Sequence, residues 1–109
     1  MSLLRQFSKS RKQNKYGGYS YLIELNRNYH IEVHGSSNKS FIVEFKEANW
    51  INYKTQFTYI SNENLEETIC EAFLRMVSYF ETRKDYLGTA ENWNLKLIEV
   101  LEVIEKHNL

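Results

Sequence analysis

Apolar and polar side chains alternate with a period of two in four separate segments between residues 19 and 60. The segments are rich in β-branched and aromatic residues, and such alternation is typical of strands that bury one face of a sheet. The four predicted strands are Tyr19–Leu25, Tyr29–His34, Phe41–Lys46 and Tyr53–Ile60. The fourth has the least apolar face, which we expect to consist of Tyr53, Thr55, Phe57 and Tyr59.

Short polar links join the first three predicted strands. Asn26-Arg27-Asn28 is short enough for a hairpin turn, and Gly35–Lys39 fits a longer one. Consecutive strands joined by such turns pair antiparallel, so the sequence predicts a three- or four-stranded antiparallel meander. The link at residues 47–52 shows no assignable pattern, and it is either a loop or a bulged continuation of the third strand.

The second half of the chain changes to the period of amphipathic helices. Ser61 and Asn62 supply N-cap chemistry, and apolar residues then recur at three- and four-residue spacing. We predict helices over residues 62–84 and 90–107, in an α+β fold whose two C-terminal helices pack on one face of the meander. Their apolar stripes consist of Leu65, Ile69, Ala72, Phe73, Met76 and Phe80, and of Trp93, Leu97, Val100, Leu101 and Ile104.

Charge is divided unevenly along the chain, although the formal net charge is zero. Residues 1–16 hold five basic residues and no acidic one, whereas residues 61–109 hold ten acidic residues against five basic ones. We interpret residues 1–16 as a basic N-terminal arm, mobile or a short helix. The Gly17-Gly18 pair would be a hinge between this arm and a single α+β domain at 17–109.

The composition excludes several classes of protein. Apolar residues make up 42% of the chain and aromatic residues 15%, which is too much for a disordered chain. The single cysteine, Cys70, excludes an intramolecular disulfide and favours a reducing cytoplasm. No run approaches the ~18 apolar residues of a membrane span. We expect no export signal, because the first basic residues follow the apolar group instead of preceding it.

The predicted helices carry more apolar surface than one buried stripe uses, and such surface marks an interaction site. Our first hypothesis is a non-catalytic small binding protein, an adaptor or inhibitor of the antitoxin or immunity type. It would engage a protein partner, or a second copy of itself as a homodimer, through an acidic and partly apolar helical surface. The predicted contact residues are Leu74, Leu95, Ile98, Glu91, Glu99 and Glu102.

The basic arm supports a second hypothesis, a nucleic-acid-binding accessory protein. Lysine and arginine side chains bind phosphate groups with release of counterions. The alternative is a frayed terminus that its charges keep solvated. The residues that would carry nucleic-acid binding are Arg5, Lys9, Arg11, Lys12 and Lys15.

A third hypothesis, a metal-dependent enzyme, rests on His30-x-Glu32-x-His34. Alternation places the three side chains on one face of a strand, where His30 and His34 lie about 13 Å apart and cannot share an ion. A site would combine Glu32 with one histidine and with a glutamate of a neighbouring strand. The alternative is a polar sheet face with cross-strand charge pairs. The neighbouring-strand residues are Glu24 or Glu44 for a metal site, and Lys46 or Lys54 for charge pairs.

Motifs that identify common enzymes are missing from the sequence. It contains no glycine-rich phosphate loop, no His-Glu-x-x-His and no Gly-x-Ser-x-Gly. We therefore predict a chain without catalytic function and assign it no cofactor and no metal, with His30, Glu32 and His34 kept as the metal candidates.

Overall fold

The structure of the protein, a computed structural model, describes residues 7–25, 28–48, 52–83 and 90–107; within the two helices it describes the side chains of residues 65–79 and 95–106. The chain forms two compact units, Met1–Asn64 and Leu65–Leu109. The first contains the strands and the second contains the helices.

The first unit is an antiparallel sheet in which each described strand pairs with the next one along the chain. This order confirms the predicted meander, and with the two helices that follow it confirms the α+β class. The structure adds a short first strand to the four that the sequence predicted. The strands are β1 (Phe7–Lys9), β2 (Gly17–Glu24), β3 (Tyr29–Ser36), β4 (Phe41–Ala48) and β5 (Tyr53–Ser61).

The additional strand lies in the segment that we interpreted as a mobile arm or a short helix. Phe7 pairs with Ile23 of β2 and is only 2% exposed. An aromatic side chain removed from water in this way stabilises the fold by about 2 kcal/mol, which holds the segment on the edge of the sheet. Residues 7–9 are therefore part of the sheet, whereas Arg5 lies outside the described residues.

One face of the sheet carries the apolar side chains in rows that cross all the strands. The central row begins at Phe7 and ends at Phe57, where the Phe45 and Phe57 rings stack with centroids 5.0 Å apart. Side chains directly opposite each other in this way are the units that stabilise a sheet. The central row consists of Phe7, Ile23, Ile31, Phe45 and Phe57, and the next one of Lys9, Tyr21, Val33, Val43 and Tyr59.

A bulge shifts the register between β4 and β5. Phe45 lies opposite Phe57, but the following residue, Lys46, lies opposite Thr55. Gln56 is therefore an extra residue on β5, and the alternation of side chains changes face across it. Our prediction of one shared face on this strand is wrong for this reason. Phe57 and Tyr59 lie on the apolar face, and Tyr53 and Thr55 lie on the opposite one.

The two adjacent glycines are part of β2 and do not form a hinge. Gly17 has a φ of +90°, and the β2–β3 register shifts between Gly17 and Ser20. A Cβ atom on Gly18 would lie 2.5 Å from the carbonyl carbon and oxygen of Gly35 on β3. The backbones of the two strands approach closely at this point, and only glycine fits there.

The second unit consists of helices α1 (Leu65–Arg83) and α2 (Ala90–His107), which contact each other. Their bounds agree with the prediction within a few residues. The buried apolar side chains follow the predicted stripes where side chains are described, and they are Ile69, Ala72, Phe73 and Met76 on α1 and Val100 and Ile104 on α2. Thr68 on α1 is also buried, although the predicted stripe did not include it. Phe80 and Trp93 lie outside the described side chains.

Neither helix, within the part of the chain that the structure describes, is long and apolar enough to cross a membrane.

The segment left unassigned at 47–52 is resolved at its two ends. Glu47 and Ala48 continue β4 as strand, Asn52 precedes β5, and residues 49–51 lie outside the described residues.

The close approach at Gly18 predicts a graded effect of two alanine substitutions on stability. We expect Gly18→Ala to lower the free energy of unfolding by about 1 to 3 kcal/mol, because the added methyl group overlaps the backbone of Gly35. Gly35→Ala should cost less, since its Cβ would lie 3.1 Å from the nearest atom, the carbonyl oxygen of Tyr19. Urea unfolding monitored by circular dichroism measures both, and equal losses would contradict the close approach.

Candidate functional site

His30, Glu32 and His34 lie on one face of β3, as the alternation predicted. The residues between them, Ile31 and Val33, are fully buried on the apolar face. The three polar side chains are themselves mostly buried, with exposed fractions between 11% and 23%. The polar face of the sheet is therefore a half-buried surface, on which each charge needs a partner.

Two carboxylates oppose each other at the centre of this face. Glu32 on β3 pairs directly with Glu44 on β4. Like charges in this position destabilise a sheet unless positive charge lies between them. Lys46 provides it, because its Nζ atom lies 2.9 Å from Oε2 of Glu32 and 3.2 Å from Oε2 of Glu44. The cross-strand charge pair expected for Lys46 is thus present.

The two histidines contact different oxygens of Glu32. Nε2 of His30 lies 2.8 Å from Oε2, whereas Nε2 of His34 lies 3.3 Å from Oε1. His34 Nε2 also lies 3.9 Å from Oε1 of Glu44. The Oε2 atoms of both carboxylates therefore face Lys46, and the Oε1 atoms of both face His34.

These contacts change the proton affinities at the centre of the site. Hydrogen bonds from His30 and His34, assisted by Lys46, hold the pKa of Glu32 far below its usual range, although burial opposes this. Burial lowers the pKa of Lys46, but its hydrogen bonds and charge interactions with Glu32 and Glu44 outweigh burial and raise that pKa overall. Both groups are therefore charged at neutral pH.

A loop between β1 and β2 fixes the orientation of His34. Nδ1 of His34 lies 2.7 Å from Oγ of Ser20, which also accepts a 3.0 Å hydrogen bond from the amide nitrogen of Asn14. Oδ1 of Asn14 accepts hydrogen bonds from the backbone N–H groups of Tyr16 and Gly18. The loop and the ring of His34 thus belong to one hydrogen-bonded network.

His30, Glu32, His34, Glu44 and Lys46 are called the polar cluster below. The loop forms one wall of an open cleft of about 360 Å³ beside this cluster. Asn14, Lys15 and Tyr16 line it on the loop side, and the ring centroid of Tyr16 lies 6.0 Å from that of His34. On the strand side the cleft is lined by Ser20, Glu32, His34, Glu44 and Lys46. A small ligand that enters this cleft therefore lies beside Glu32, His34 and Glu44.

The structure brings together part of what the sequence predicted for this face. Glu44 and Lys46 join the cluster, whereas Glu24 lies opposite His30 in the register and Lys54 lies opposite Glu47 on the apolar face. Three contributors escaped sequence reasoning, namely Asn14, Tyr16 and Ser20. The signal that could have found the loop is the Asn at position 14, since asparagine before a glycine pair is typical of a turn that its own side chain closes.

Comparison of this chain with known protein families, with curated proteins and with solved structures finds no match.

The helical unit exposes the predicted apolar contact residues. Leu74 on α1 is 69% exposed, and Leu95 and Ile98 on α2 are 56% and 52% exposed. Glu99 and Glu102 are exposed on α2 as well, whereas the side chain of Glu91 lies outside those described. Large aliphatic side chains thus lie in water on both helices, beside acidic groups.

The predicted basic residues from Lys9 onward are exposed. Nζ of Lys9 lies 4.8 Å from the ring centroid of Tyr19, and that of Lys15 lies 5.2 Å from the ring centroid of Tyr16. Ammonium groups at this distance are attracted to an aromatic face. Lys9 and Lys15 therefore each lie beside a tyrosine ring, and Arg11 and Lys12 are exposed between them in the sequence.

Cys70 is a free, half-buried thiol on α1. Burial, and next the charges of Glu66 and Glu67, raise its pKa above the ordinary value. The thiolate is the reactive form, so these surroundings lower the reactivity of the side chain at neutral pH.

The low pKa of Glu32 predicts a pH-dependent contribution to stability. At neutral pH we expect Glu32→Gln to lower the free energy of unfolding by about 1 to 3 kcal/mol, because charge-assisted hydrogen bonds are lost. The unfolded chain takes up a proton at Glu32 near pH ~4, where the native carboxylate is still ionised. The difference between the wild type and the variant should therefore shrink as the pH falls below ~4. Urea unfolding in metal-free buffer at several pH values measures this difference in the free energy of unfolding. A difference that stays constant with pH would contradict the lowered pKa of Glu32.

Proposed function

We propose that the protein is a non-catalytic binding protein that docks a protein partner through the helical surface formed by Leu74, Leu95, Ile98, Glu99 and Glu102. The observation that supports this most directly is the exposure of three large aliphatic side chains, each more than half exposed. Such side chains lose contact with water only when another molecule covers them, and this burial is the main driving force of protein association.

The charge of the helices indicates what kind of partner fits this surface. Residues 61–109 hold ten acidic residues against five basic ones. A second copy that docked through the same face would bring acidic groups against each other, which opposes an isologous homodimer. The expected partner is a different protein with an apolar ridge flanked by lysine or arginine, as for a small inhibitor, adaptor, antitoxin or immunity protein.

The single thiol and the lack of any disulfide partner favour the cytoplasm as the compartment.

Replacement of the exposed aliphatic residues by glutamine tests the helical surface. We expect Leu74→Gln, Leu95→Gln and Ile98→Gln to fold normally, since the side chains are exposed and glutamine is a good helix former. Each should weaken the complex with the partner at least about tenfold, as loss of a central apolar contact does. The dominant protein captured from cells of the source organism is purified, and its affinity for each variant is measured by calorimetry.

Ile60→Gln on β5 is the matched control, because Ile60 is 67% exposed but lies on the sheet. It should leave the affinity unchanged. Glutamine variants of the helices that bind as tightly as the control would overturn the proposal, and so would a homodimer in sedimentation experiments that the helical variants dissociate.

A second candidate function is binding of single-stranded nucleic acid by the basic segment. The specific observation in its favour is the set of exposed cations Lys9, Arg11, Lys12 and Lys15, of which Lys9 lies beside the ring of Tyr19 and Lys15 beside that of Tyr16. Cations that track a phosphate backbone beside aromatic rings that stack on bases are the usual composition of such surfaces.

Removal of three of these cations should change how strongly the binding of nucleic acid depends on salt. We expect the triple variant Arg11→Gln, Lys12→Gln and Lys15→Gln to bind single-stranded oligonucleotide more weakly. Its plot of log affinity against log salt should be less steep by about 2, because three phosphate contacts are lost. The control variant carries Lys39→Gln, Lys54→Gln and Lys106→Gln, which remove the same charge from other exposed positions. Fluorescence anisotropy that shows equal slopes for both variants, or no binding by the wild type, would exclude this function.

A further inference from the structure

Three potential metal-binding atoms converge on the polar face of the sheet. They are Oε1 of Glu32, Nε2 of His34 and Oε1 of Glu44, and they all lie within 4.8 Å of one another. We propose that these three residues bind one divalent transition-metal ion of the zinc type. The site lies entirely within the sheet unit, so the proposal is independent of partner binding by the helices.

The distances between the three atoms are close to those that a bound ion requires. With bonds of about 2.0 to 2.2 Å, the ligands of a tetrahedral zinc ion lie about 3.3 to 3.5 Å from one another. His34 Nε2 already lies 3.3 Å from the Glu32 oxygen and 3.9 Å from the Glu44 oxygen. All three atoms lie within 4.8 Å of one another, so the carboxylate oxygens have to turn towards the ion to complete the bonding geometry.

The second ring nitrogen of His34 has the partner that a metal-binding histidine needs. A histidine that binds a metal through Nε2 carries its proton on Nδ1 and donates it to an oxygen. Oγ of Ser20 lies 2.7 Å from Nδ1. A hydroxyl oxygen can accept two hydrogen bonds, and Asn14 supplies only one of them, so Ser20 can accept the proton of Nδ1. When the ion binds, the ring proton therefore moves from Nε2, where it is donated to Glu32, to Nδ1, and the lone pair of Nε2 binds the ion.

Charge at the site also favours a cation. Two carboxylates face each other, and Lys46 neutralises one of these two negative charges. Because Lys46 holds the Oε2 atoms, it leaves the Oε1 atoms on the side of His34 available as single-oxygen ligands. The two carboxylates and Lys46 together leave one negative charge, and a divalent ion that binds the Oε1 pair offsets it.

The cleft leaves room for the remaining coordination positions. The open cleft of about 360 Å³ is lined by all three ligand residues, and it has room for water or a small ligand beside them. Three protein ligands with an open position are typical of a reactive metal site, whereas a structural zinc site is closed by four.

His30 does not belong to the ligand set, although the sequence places it symmetrically about Glu32. Its Nε2 atom lies 2.8 Å from Oε2 of Glu32, on the side of the carboxylate that Lys46 occupies. The two histidines are therefore a matched pair on one strand, of which only His34 contacts the proposed ion.

Titration of the full, untagged chain with Zn²⁺ and with Co²⁺ tests the site. We expect one ion per chain by calorimetry, and a visible absorption band of low-symmetry Co²⁺ that Zn²⁺ displaces. His34→Asn should weaken binding more than about tenfold, because the amide nitrogen of asparagine retains a contact with Ser20 but Nε2 is lost. His30→Gln retains the donor to Glu32 and should bind like the wild type.

Two further variants separate ligands from structural effects. Glu44→Gln removes a ligand and should weaken binding as His34→Asn does, while Ser20→Ala should weaken it about tenfold through the orientation of the ring. Circular dichroism and thermal unfolding of every variant without metal establish that it is folded. Absence of binding by the folded wild type, or equal losses in His30→Gln and His34→Asn, would overturn the proposal.

Discussion

The opposition of Glu32 and Glu44 in the middle of the sheet is the constraint on which the polar face depends. The register places the two carboxylates directly opposite each other, and both side chains are mostly removed from water. A half-buried pair of like charges is unfavourable without a compensating cation and hydrogen bonds. Lys46 between the Oε2 atoms and His34 beside the Oε1 atoms supply these contacts. The polar face is therefore held together by a defined set of charge contacts, whereas the apolar face is held together by rows of packed side chains.

The N-terminal segment contacts both faces of the sheet. Phe7 fixes β1 to the apolar face, and the loop that follows returns along β2 with Asn14 bonded to Ser20 and to the carbonyl of Gly35. The close backbone approach at Gly18 belongs to the same corner. The charge of this segment suggested a separate arm, but the segment contributes to both faces of the sheet. Phe7 completes the central apolar row, and Asn14 holds the ring of His34 through Ser20.

The two compact units carry different chemistry. The sheet unit holds a half-buried cluster in which nearly every polar atom has a partner, an arrangement suited to a small charged ligand. The helical unit exposes Leu74, Leu95 and Ile98 beside acidic groups, an arrangement suited to a protein surface. Burial of apolar area would drive the proposed protein docking and directed electrostatics the proposed ion binding, so the two proposals rest on separate parts of the chain.

The sequence by itself determined the class of fold and the faces of most elements. A period of two in Tyr29–His34 and a helical period after residue 62 specify where side chains point, because both are local consequences of backbone geometry. It also placed His30, Glu32 and His34 on one face, and it offered Glu24 or Glu44, and Lys46 or Lys54, as partners without deciding between them. Only the tertiary structure decided that Gln56 is an extra residue on β5, that Phe7 belongs to the sheet, and that His34 and not His30 faces Glu44. These features depend on the register between strands and on the return path of a loop, which join residues distant in sequence and leave no periodic signal along the chain.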